Sequence, residues 1–189
     1  MGAANIPLHA RPARFSPRPL PADALMDAPP DIQLTPVDGP ADLDGARELM
    51  LEYARLLGVD LCFQDFDREL GALPGAYAAP GGLLLLARID GQLAGCGGFR
   101  PLEDTDYANA CEMKRLYVRP AFRSLGLGRL LTQALLDGAR LAGYSEMLLD
   151  TLDEMEAART LYAELGFIEV PPYYFNPLPG AHYLKVDLR

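Results

Sequence analysis

Residues 115–131 have the sequence RLYVRPAFRSLGLGRLL, in which a predicted strand gives way to a turn and a glycine-punctuated loop opens directly into an amphipathic helix. Such a loop leaves consecutive backbone N–H groups unpaired at a helix N-terminus, where the helix dipole is also positive. Phosphate groups are natural ligands of that geometry. Gly126 and Gly128 lack the side chains that would hold a pyrophosphate away, and Arg123 and Arg129 add cationic donors. The stretch therefore predicts a phosphate-binding turn.

Two common phosphate-binding motifs do not fit this stretch. The dinucleotide fingerprint GxGxxG needs a third glycine where this chain has Leu131, and the P-loop needs a terminal Gly-Lys-Ser/Thr that is missing. Glycines at the start of a helix also serve packing and turns. The phosphate prediction therefore depends on the rest of the chain.

The surrounding sequence alternates between strand and helix signals. Asp90-Gly91, the strongest short hairpin signal, joins predicted strands at 83–89 and 93–99. Asp153 and Glu156 have the spacing of a capping box for a helix that Gly166 ends. Periodicity predicts further strands at 32–37, 111–118, 147–151, 167–170 and 182–188, and helices at 40–57, 66–73 and 126–142. This order predicts an α/β protein with a mixed sheet, antiparallel early and with strand–helix–strand units late.

Three motifs, in order, resemble those of the GCN5-related N-acetyltransferase (GNAT) family. Arg123-x-x-Gly126-x-Gly128 matches the acyl-CoA signature Gln/Arg-x-x-Gly-x-Gly/Ala of that family. Residues 112–120, EMKRLYVRP, look like the strand that leads into the signature. Residues 158–167, ARTLYAELGF, are similar to the element Ala-x-x-Leu-Tyr-x-x-x-Gly-Phe. The resemblance covers about residues 31–189.

The resemblance implies a GNAT-like acyl-CoA N-acyltransferase fold, a twisted mixed sheet flanked by helices. Two parallel strands, here the one ending at Val118 and the one at 147–151, would separate into a V-shaped split. Acetyl-CoA would lie in the split as co-substrate, with its pantetheine arm beside Val118 like an added strand. Its pyrophosphate would lie on the N–H groups of residues 125–129. The implied cofactor-binding residues are Leu116, Tyr117, Val118, Arg123, Ser124, Leu125, Gly126, Leu127, Gly128 and Arg129.

The resemblance also implies two catalytic residues. An alkylamine has a pKa of about 10.4, so a base must accept its proton at neutral pH. Glu112 has the strand position where several relatives place that base; the alternative is a solvated or salt-bridged glutamate, paired for instance with Lys114. Tyr162 has the position of a tyrosine that protonates the departing thiolate, and packing on its helix is compatible with that role. The N–H of Val118 would support the thioester oxygen.

Three other features leave alternatives open. Many family members have Asn seven residues before the tyrosine; Met155 stands there in this chain and removes one polar contact to the pantetheine arm. His182 faces the acceptor pocket or is an ordinary strand histidine. The aromatic loop at 171–177 lines that pocket or covers a sheet edge. An acidic cluster is expected to cap a helix and face solvent; it comprises Asp150, Asp153, Glu154 and Glu156.

Composition limits the classes of partner. The 189 residues carry 17 Lys and Arg against 26 Asp and Glu, a formal net charge of −9, which disfavours nucleic acid and favours a cationic acceptor. The cysteines Cys62, Cys96 and Cys111 never have CxxC spacing and the two histidines are far apart, so no metal site is predicted. No apolar run approaches the roughly 20 residues of a membrane span, and no secretory signal is apparent. We expect a cytoplasmic protein without a membrane partner.

The first thirty residues differ from the rest. They contain seven prolines and three arginines, with no acidic residue before Asp23, and predict a flexible tail (1–30) ahead of one domain (31–189). Pairing of exposed sheet edges by the C-terminal strand would be a route to a homodimer.

Together these features predict an N-acetyltransferase that moves an acetyl group from acetyl-CoA to a primary amine of a small molecule or peptide. Transfer would be by direct attack in a ternary complex, with Glu112 as base and Tyr162 as acid. An alternative is a non-catalytic acyl-CoA-binding sensor on the same fold, a reading that Met155 keeps open. A third is an unrelated nucleotide-binding α/β protein.

Overall fold

The computed structural model describes residues 29–58 and 65–189, so the predicted tail lies almost wholly outside it and the domain boundary stays a prediction. The strands are β1 (Ile32–Pro36), β2 (Leu83–Ile89), β3 (Gln92–Leu102), β4 (Ala110–Val118), β5 (Glu146–Leu152), β6 (Ile168–Val170) and β7 (Ala181–Asp187). The helices are α1 (Pro40–Leu57), α2 (Phe66–Ala72), α3 (Leu127–Leu141) and α4 (Glu156–Glu164). None of these helices is both long and apolar enough to cross a membrane.

The seven strands form one mixed sheet in the order β1-β2-β3-β4-β5-β7-β6. Pairing is antiparallel from β1 to β4, parallel between β4 and β5, and antiparallel again to β7 and β6. The predicted hairpin joins β2 and β3, and both Asp90 (φ 50°) and Gly91 (φ 77°) have the left-handed backbone that a type I′ turn needs. The predicted mixed α/β sheet is confirmed.

The parallel strands β4 and β5 separate soon after they meet. They pair over three positions, 110–112 with 146–148. Beyond Glu112, β4 continues to Val118 paired with β3 but with no described strand on its other side. β5 meanwhile stays paired with β7 to its end. This is the V-shaped split that the sequence predicted.

Helices cover both faces of the sheet and create two separate cores. On one face the buried side of α3, with Leu131 and Leu135, packs against Met113 of β4 and Leu149 of β5. On the other face α1 and α2 pack against β2 and β4; the buried residues there include Leu49, Met50, Phe66, Leu86 and Tyr117. Apolar burial of this extent is the main stabilising term of the fold.

A bulge in β4 shifts which side chains reach the α1–α2 face. Cys96 pairs with Tyr117 and Gly98 with Lys114, which leaves two β4 residues opposite one β3 residue. One of them, Arg115, has a left-handed backbone (φ 60°). Its guanidinium therefore points to α2 on the same side as Lys114, where its Nε and Nη2 each lie 2.8 Å from a carboxylate oxygen of Glu69. Simple strand alternation would have turned Arg115 into the α3 core.

Two predictions of local structure are wrong. α4 begins after Met155, and no side chain caps it, because the Asp153 carboxylate contacts His182 instead of the helix amides. The C-terminal strand β7 lies between β5 and β6 and is not a sheet edge. The C-terminal strand therefore offers no exposed edge for pairing with a second copy, and a homodimer stays a prediction.

His182 links the last three strands. It lies on β7, where its ring nitrogens are 2.7 Å from a carboxylate oxygen of Glu169 on β6 and 2.6 Å from one of Asp153, just after β5. These hydrogen bonds, that to Asp153 first, raise the pKa of His182 above 6.5. Of the two alternatives from the sequence, the structure favours an ordinary strand histidine, here hydrogen-bonded to two carboxylates.

Replacing His182 with Gln should destabilise the protein in a pH-dependent way. A histidine with a raised folded-state pKa stabilises the fold fully below about 6.5, and this contribution disappears as the pH rises through the folded-state value. We expect H182Q to lower the melting temperature at about pH 5.5 and much less at about pH 9. K185Q on the same strand is the control, since a hydrogen bond to Asp187 raises the pKa of Lys185 and it stays charged at both pH values. An equal loss for H182Q at the two pH values would contradict this role.

Candidate active site

The loop that opens α3 presents a run of unpartnered amides. The backbone N–H groups of residues 124–129 donate to no atom of the described chain, whereas the N–H of Leu130 resumes helical bonding to Gly126. Ser124 (φ 67°) and Gly126 (φ 75°) both have left-handed backbones, and no side chain caps the helix. Successive amides in such a conformation form a concave anion-binding nest at the positive end of a helix dipole.

Gly126 and Gly128 have different structural reasons for lacking a side chain. Gly126 needs its backbone freedom, because a left-handed conformation strains other residues. Gly128 does not, since it lies inside the first turn of α3, and an added Cβ would meet only the Leu161 side chain at 3.8 Å. The fold would accept a side chain at 128, so the bare backbone there leaves room for something outside the chain.

The two arginines predicted to help at this loop are partly engaged elsewhere. The Nε of Arg123 donates to the carbonyl of Val118 at 3.1 Å. Arg129 pairs with Glu164 of α4, and this pair borders a surface groove of about 470 Å³ between α3 and α4. Each guanidinium therefore has a protein partner, and the predicted role of the two arginines in phosphate binding stays a prediction.

The β4 residues predicted to flank the pantetheine arm border the split. The side chains of Leu116 and Val118 are partly buried against the α3-side core. Tyr117 is buried on the opposite face, where its ring lies 5.7 Å from that of Tyr53. The backbone of this segment has no strand partner on the β5 side. A ligand that adds hydrogen bonds like a strand has a free edge here.

Tyr162 lies on α4, with its ring buried beside Phe167 at 5.5 Å between centroids. Burial raises the pKa of its phenol well above the usual value, so the hydroxyl stays protonated at neutral pH. The Tyr162 hydroxyl has no hydrogen-bond partner among the described residues. Every fully buried side-chain nitrogen or oxygen of those residues does have a partner. The hydroxyl is therefore not sealed in the core. Met155 stands where many family members have Asn, and its sulfur accepts a hydrogen bond from the Thr151 hydroxyl at 3.5 Å.

Glu112 is salt-bridged to Arg100 and Lys114, as in the alternative to its role as a base. It is 3% exposed, and both of its carboxylate oxygens are engaged. Oε2 accepts from Arg100 at 3.2 Å, while Oε1 accepts from the Tyr173 hydroxyl at 2.9 Å and lies 3.1 Å from the Lys114 ammonium. The Glu112 carboxylate is thus oriented by three partners and screened from bulk solvent.

Asp150 belongs to the same cluster, which corrects the expectation that it faces solvent. Its side chain is 13% exposed, and its Oδ1 lies 2.8 Å from the Lys114 ammonium while Oδ2 accepts from Asn176 at 3.2 Å. Burial raises the pKa of the Asp150 carboxyl, but Lys114 outweighs it and the net shift is downward. The sequence did not reveal this contact because it depends on the register of the parallel pairing, in which Asp150 and Lys114 each lie two residues beyond the paired Leu148 and Glu112.

The aromatic loop covers this cluster rather than a sheet edge. The Tyr173 hydroxyl contacts Glu112, and the Tyr174 ring lies 5.0 Å from the Lys114 ammonium. Tyr183 of β7 packs edge-on against both tyrosines. The outer side of the loop borders an open depression of about 610 Å³, lined in part by Phe175 and Asn176. One wall of the split is therefore a polar cluster roofed by tyrosines.

The remaining site predictions concern thiols and metals. Cys96 and Cys111 are buried free thiols, and burial raises the pKa of each to about 12, which makes them unreactive at neutral pH. Cys62 lies outside the described residues. Within residues 29–58 and 65–189 no group of three or more His, Cys, Asp or Glu side chains is arranged to hold a metal ion.

Comparison with known proteins agrees with this geometry. An uncharacterised N-acetyltransferase of Schizosaccharomyces pombe is 40% identical over 164 residues, spanning 86% of this chain and 99% of the relative. A GNAT acetyltransferase of Staphylococcus aureus has a similar fold (TM-score 0.69, 20% identity, 84% of this chain and 100% of that one). So does the putative acetyltransferase yncA of Salmonella typhimurium, solved with acetyl-CoA (TM-score 0.61, 22% identity, 84% and 94%). The family model described as the acetyltransferase (GNAT) family matches residues 47–167, and this chain belongs to that family.

Proposed function

We propose that this acetyltransferase moves an acetyl group from acetyl-CoA to a primary amine by direct attack in a ternary complex. The observation that carries the proposal is the run of six unpartnered amides at 124–129, placed beside the open edge of β4. An anion-binding nest next to an unpaired strand edge suits a ligand that joins a pyrophosphate to an amide-containing arm. Acetyl-CoA is such a molecule, and it supplies an acyl carbon activated as a thioester.

Residues 124–129 bind the pyrophosphate through their N–H groups, while Leu116, Tyr117 and Val118 offer the strand edge to the pantetheine arm. Gly128 keeps the approach to the backbone open, since its missing Cβ leaves a gap the fold does not fill. Arg123 and Arg129 add positive charge beside the nest. The Val118 N–H supports the thioester oxygen as charge develops on it.

Two side chains handle the protons. The acceptor arrives as an ammonium, and its nitrogen must lose one proton before it can attack. Glu112 takes this proton through a bridging water, because its own oxygens are enclosed by Arg100, Lys114 and Tyr173. The nitrogen then forms a bond to the acyl carbon as the carbon–sulfur bond breaks, and the second nitrogen proton leaves to water. Tyr162 gives a proton to the departing sulfur from its unpartnered hydroxyl and recovers one from solvent. The net charge of −9 favours a cationic acceptor through long-range attraction.

Gly128→Leu should separate ligand binding from folding. The family signature accepts Gly or Ala at this position, so the test needs a side chain larger than a methyl. A Cβ here meets only Leu161 at 3.8 Å, and leucine is a better helix former than glycine, so we expect an unchanged or higher melting temperature. The larger side chain obstructs the phosphate approach, so CoA binding measured by calorimetry should weaken at least about tenfold, equal to about 1.4 kcal/mol. Gly71→Leu in α2, where a Cβ meets no atom within 4 Å, is the matched control and should bind CoA normally. Full CoA affinity in G128L would count against the nest as the pyrophosphate site.

Tyr162→Phe should slow the chemical step without loosening the ligand. Removing a general acid typically costs about 100-fold or more in rate, so we expect kcat to fall by that order while the CoA dissociation constant stays within about twofold. Turnover is followed as free thiol released over a panel of small amines and peptides. Tyr144→Phe is the control, since its hydroxyl serves a structural bond to the Gly81 carbonyl. If the wild type binds CoA but none of the amines in the panel leads to release of thiol, the sensor alternative replaces this proposal.

A further inference from the structure

Lysine is rare in this chain, and one of its lysines is buried at the split. The sequence has two lysines, Lys114 and Lys185, so the other fifteen of its 17 basic residues are arginines. Lys185 lies on β7 and pairs with Glu146 and Asp187. Lys114 is 6% exposed and lies on β4. In a chain whose basic residues are mostly arginines, a buried lysine points to surroundings that suit an ammonium group.

The surroundings of Lys114 match an ammonium rather than a guanidinium. Three oxygens surround its nitrogen: Asp150 Oδ1 at 2.8 Å, Glu112 Oε1 at 3.1 Å and the Tyr174 hydroxyl at 3.4 Å. An ammonium has three donors on one atom and can serve three acceptors that converge on a point. The planar fork of an arginine is larger and spreads its donors in one plane. The Tyr174 ring, 5.0 Å away, adds a cation–π contact.

Lys114 also spans the point where the sheet divides. Glu112 and Leu148 are the last paired residues of β4 and β5, and Lys114 and Asp150 follow each of them by two positions. Their ion pair is therefore a side-chain contact across the gap just past the end of strand pairing. It ties the two walls together at the base of the split, on the face that carries Glu112.

We propose that Lys114 is a positioning residue for acetyl transfer, which pairs with Glu112, holds it in place and fixes the distance between the two walls of the split. The inference rests on the proposed function, because it assigns a role through Glu112. Lys114 does not touch the reacting atoms. It acts by giving two buried carboxylates, Glu112 and Asp150, a single shared cation.

Loss of that cation has a defined electrostatic consequence. Two buried carboxylates would then face one another across the gap, and a like charge favours protonation of one of them. Arg100 still pairs with Glu112, so the cluster is weakened and not abolished. Charged and titratable groups face the cluster from every element packed against it. They are Glu69 of α2, Arg100 of β3, Glu112, Lys114 and Arg115 of β4, Asp150 of β5, Tyr53 of α1, Tyr77 ahead of β2, Tyr162 of α4, Tyr183 of β7, and Tyr173 and Tyr174 of the aromatic loop.

The test compares Lys114→Met, which keeps the chain length but not the charge, with Lys114→Arg, which keeps the charge. K185M is the matched control, as it removes the other lysine from its pairs with Glu146 and Asp187. For K114M we expect kcat to fall at least about tenfold and the acid limb of the kcat/KM profile to move up by about one pH unit or more. For K114R the acid limb stays in place and kcat is partly recovered. CoA affinity stays within about twofold in all three variants.

Further arms keep the inference falsifiable if K114M folds poorly. The double variant K114M/D150N removes both ends of the ion pair, which is less costly than leaving one buried charge. It should fold, and its acid limb should return to the wild-type position because Glu112 then no longer faces the Asp150 carboxylate. A wild-type pH profile in K114M, or an acid limb that K114R fails to restore, would overturn the positioning role. The positioning role would also be overturned if mass spectrometry detected acetylated Lys114 after turnover, since that lysine would then be an acceptor.

Failure of the inference is distinguishable from failure of the proposed function. If E112Q transfers acetyl groups as fast as the wild type, the base assignment fails, and the role of Lys114 through Glu112 fails with it. If E112Q is slow but K114M behaves like the wild type, the proposed function stands and the inference alone is lost. A slow E112Q together with a shifted, slow K114M supports both.

Discussion

The parting of β4 from β5 after three paired positions is the constraint on which the site depends. A strand that loses its neighbour leaves backbone groups without partners, and such an edge must be solvated, covered or bound. Here the gap is kept open because each strand has a full partner on its other side, β3 for β4 and β7 for β5. The sheet can thus divide without losing its cohesion. Every proposed ligand contact lies along the gap or at the helix that follows β4.

Polar groups at the base of the gap are buried, and burial of charge is tolerated only when each charge is paired. The cluster meets this condition because each cation has a carboxylate partner: Arg115 pairs with Glu69, Arg100 with Glu112, and Lys114 with Asp150. Tyrosines close the cluster from above. An arrangement of this kind fixes side-chain orientation before a ligand arrives, which reduces the reorganisation that catalysis would otherwise require.

Much of the scaffold could be predicted from sequence, because periodicity and turn chemistry are local. The Asp90-Gly91 hairpin and the glycine loop before α3 are examples, since each is specified by residues adjacent in the chain. The cluster at the split could not be predicted in the same way. Along the sequence Asp150 belongs to an acidic helix start, and only strand pairing places it opposite Lys114; Arg115 changes face because of a bulge. Asp153 was drawn from its expected cap by His182, a partner 29 residues away.

The place of β7 in the sheet has a consequence for how the protein is made. β5 is one wall of the split, and its outer neighbour is β7, whose residues 181–187 are synthesised long after β5 itself. While the ribosome is still adding residues, β5 has only its short pairing with β4 and an unprotected flank. The wall becomes rigid when β7 inserts between β5 and β6. A nascent chain therefore contains the residues of the nest at α3 before it contains the strand that completes the cleft.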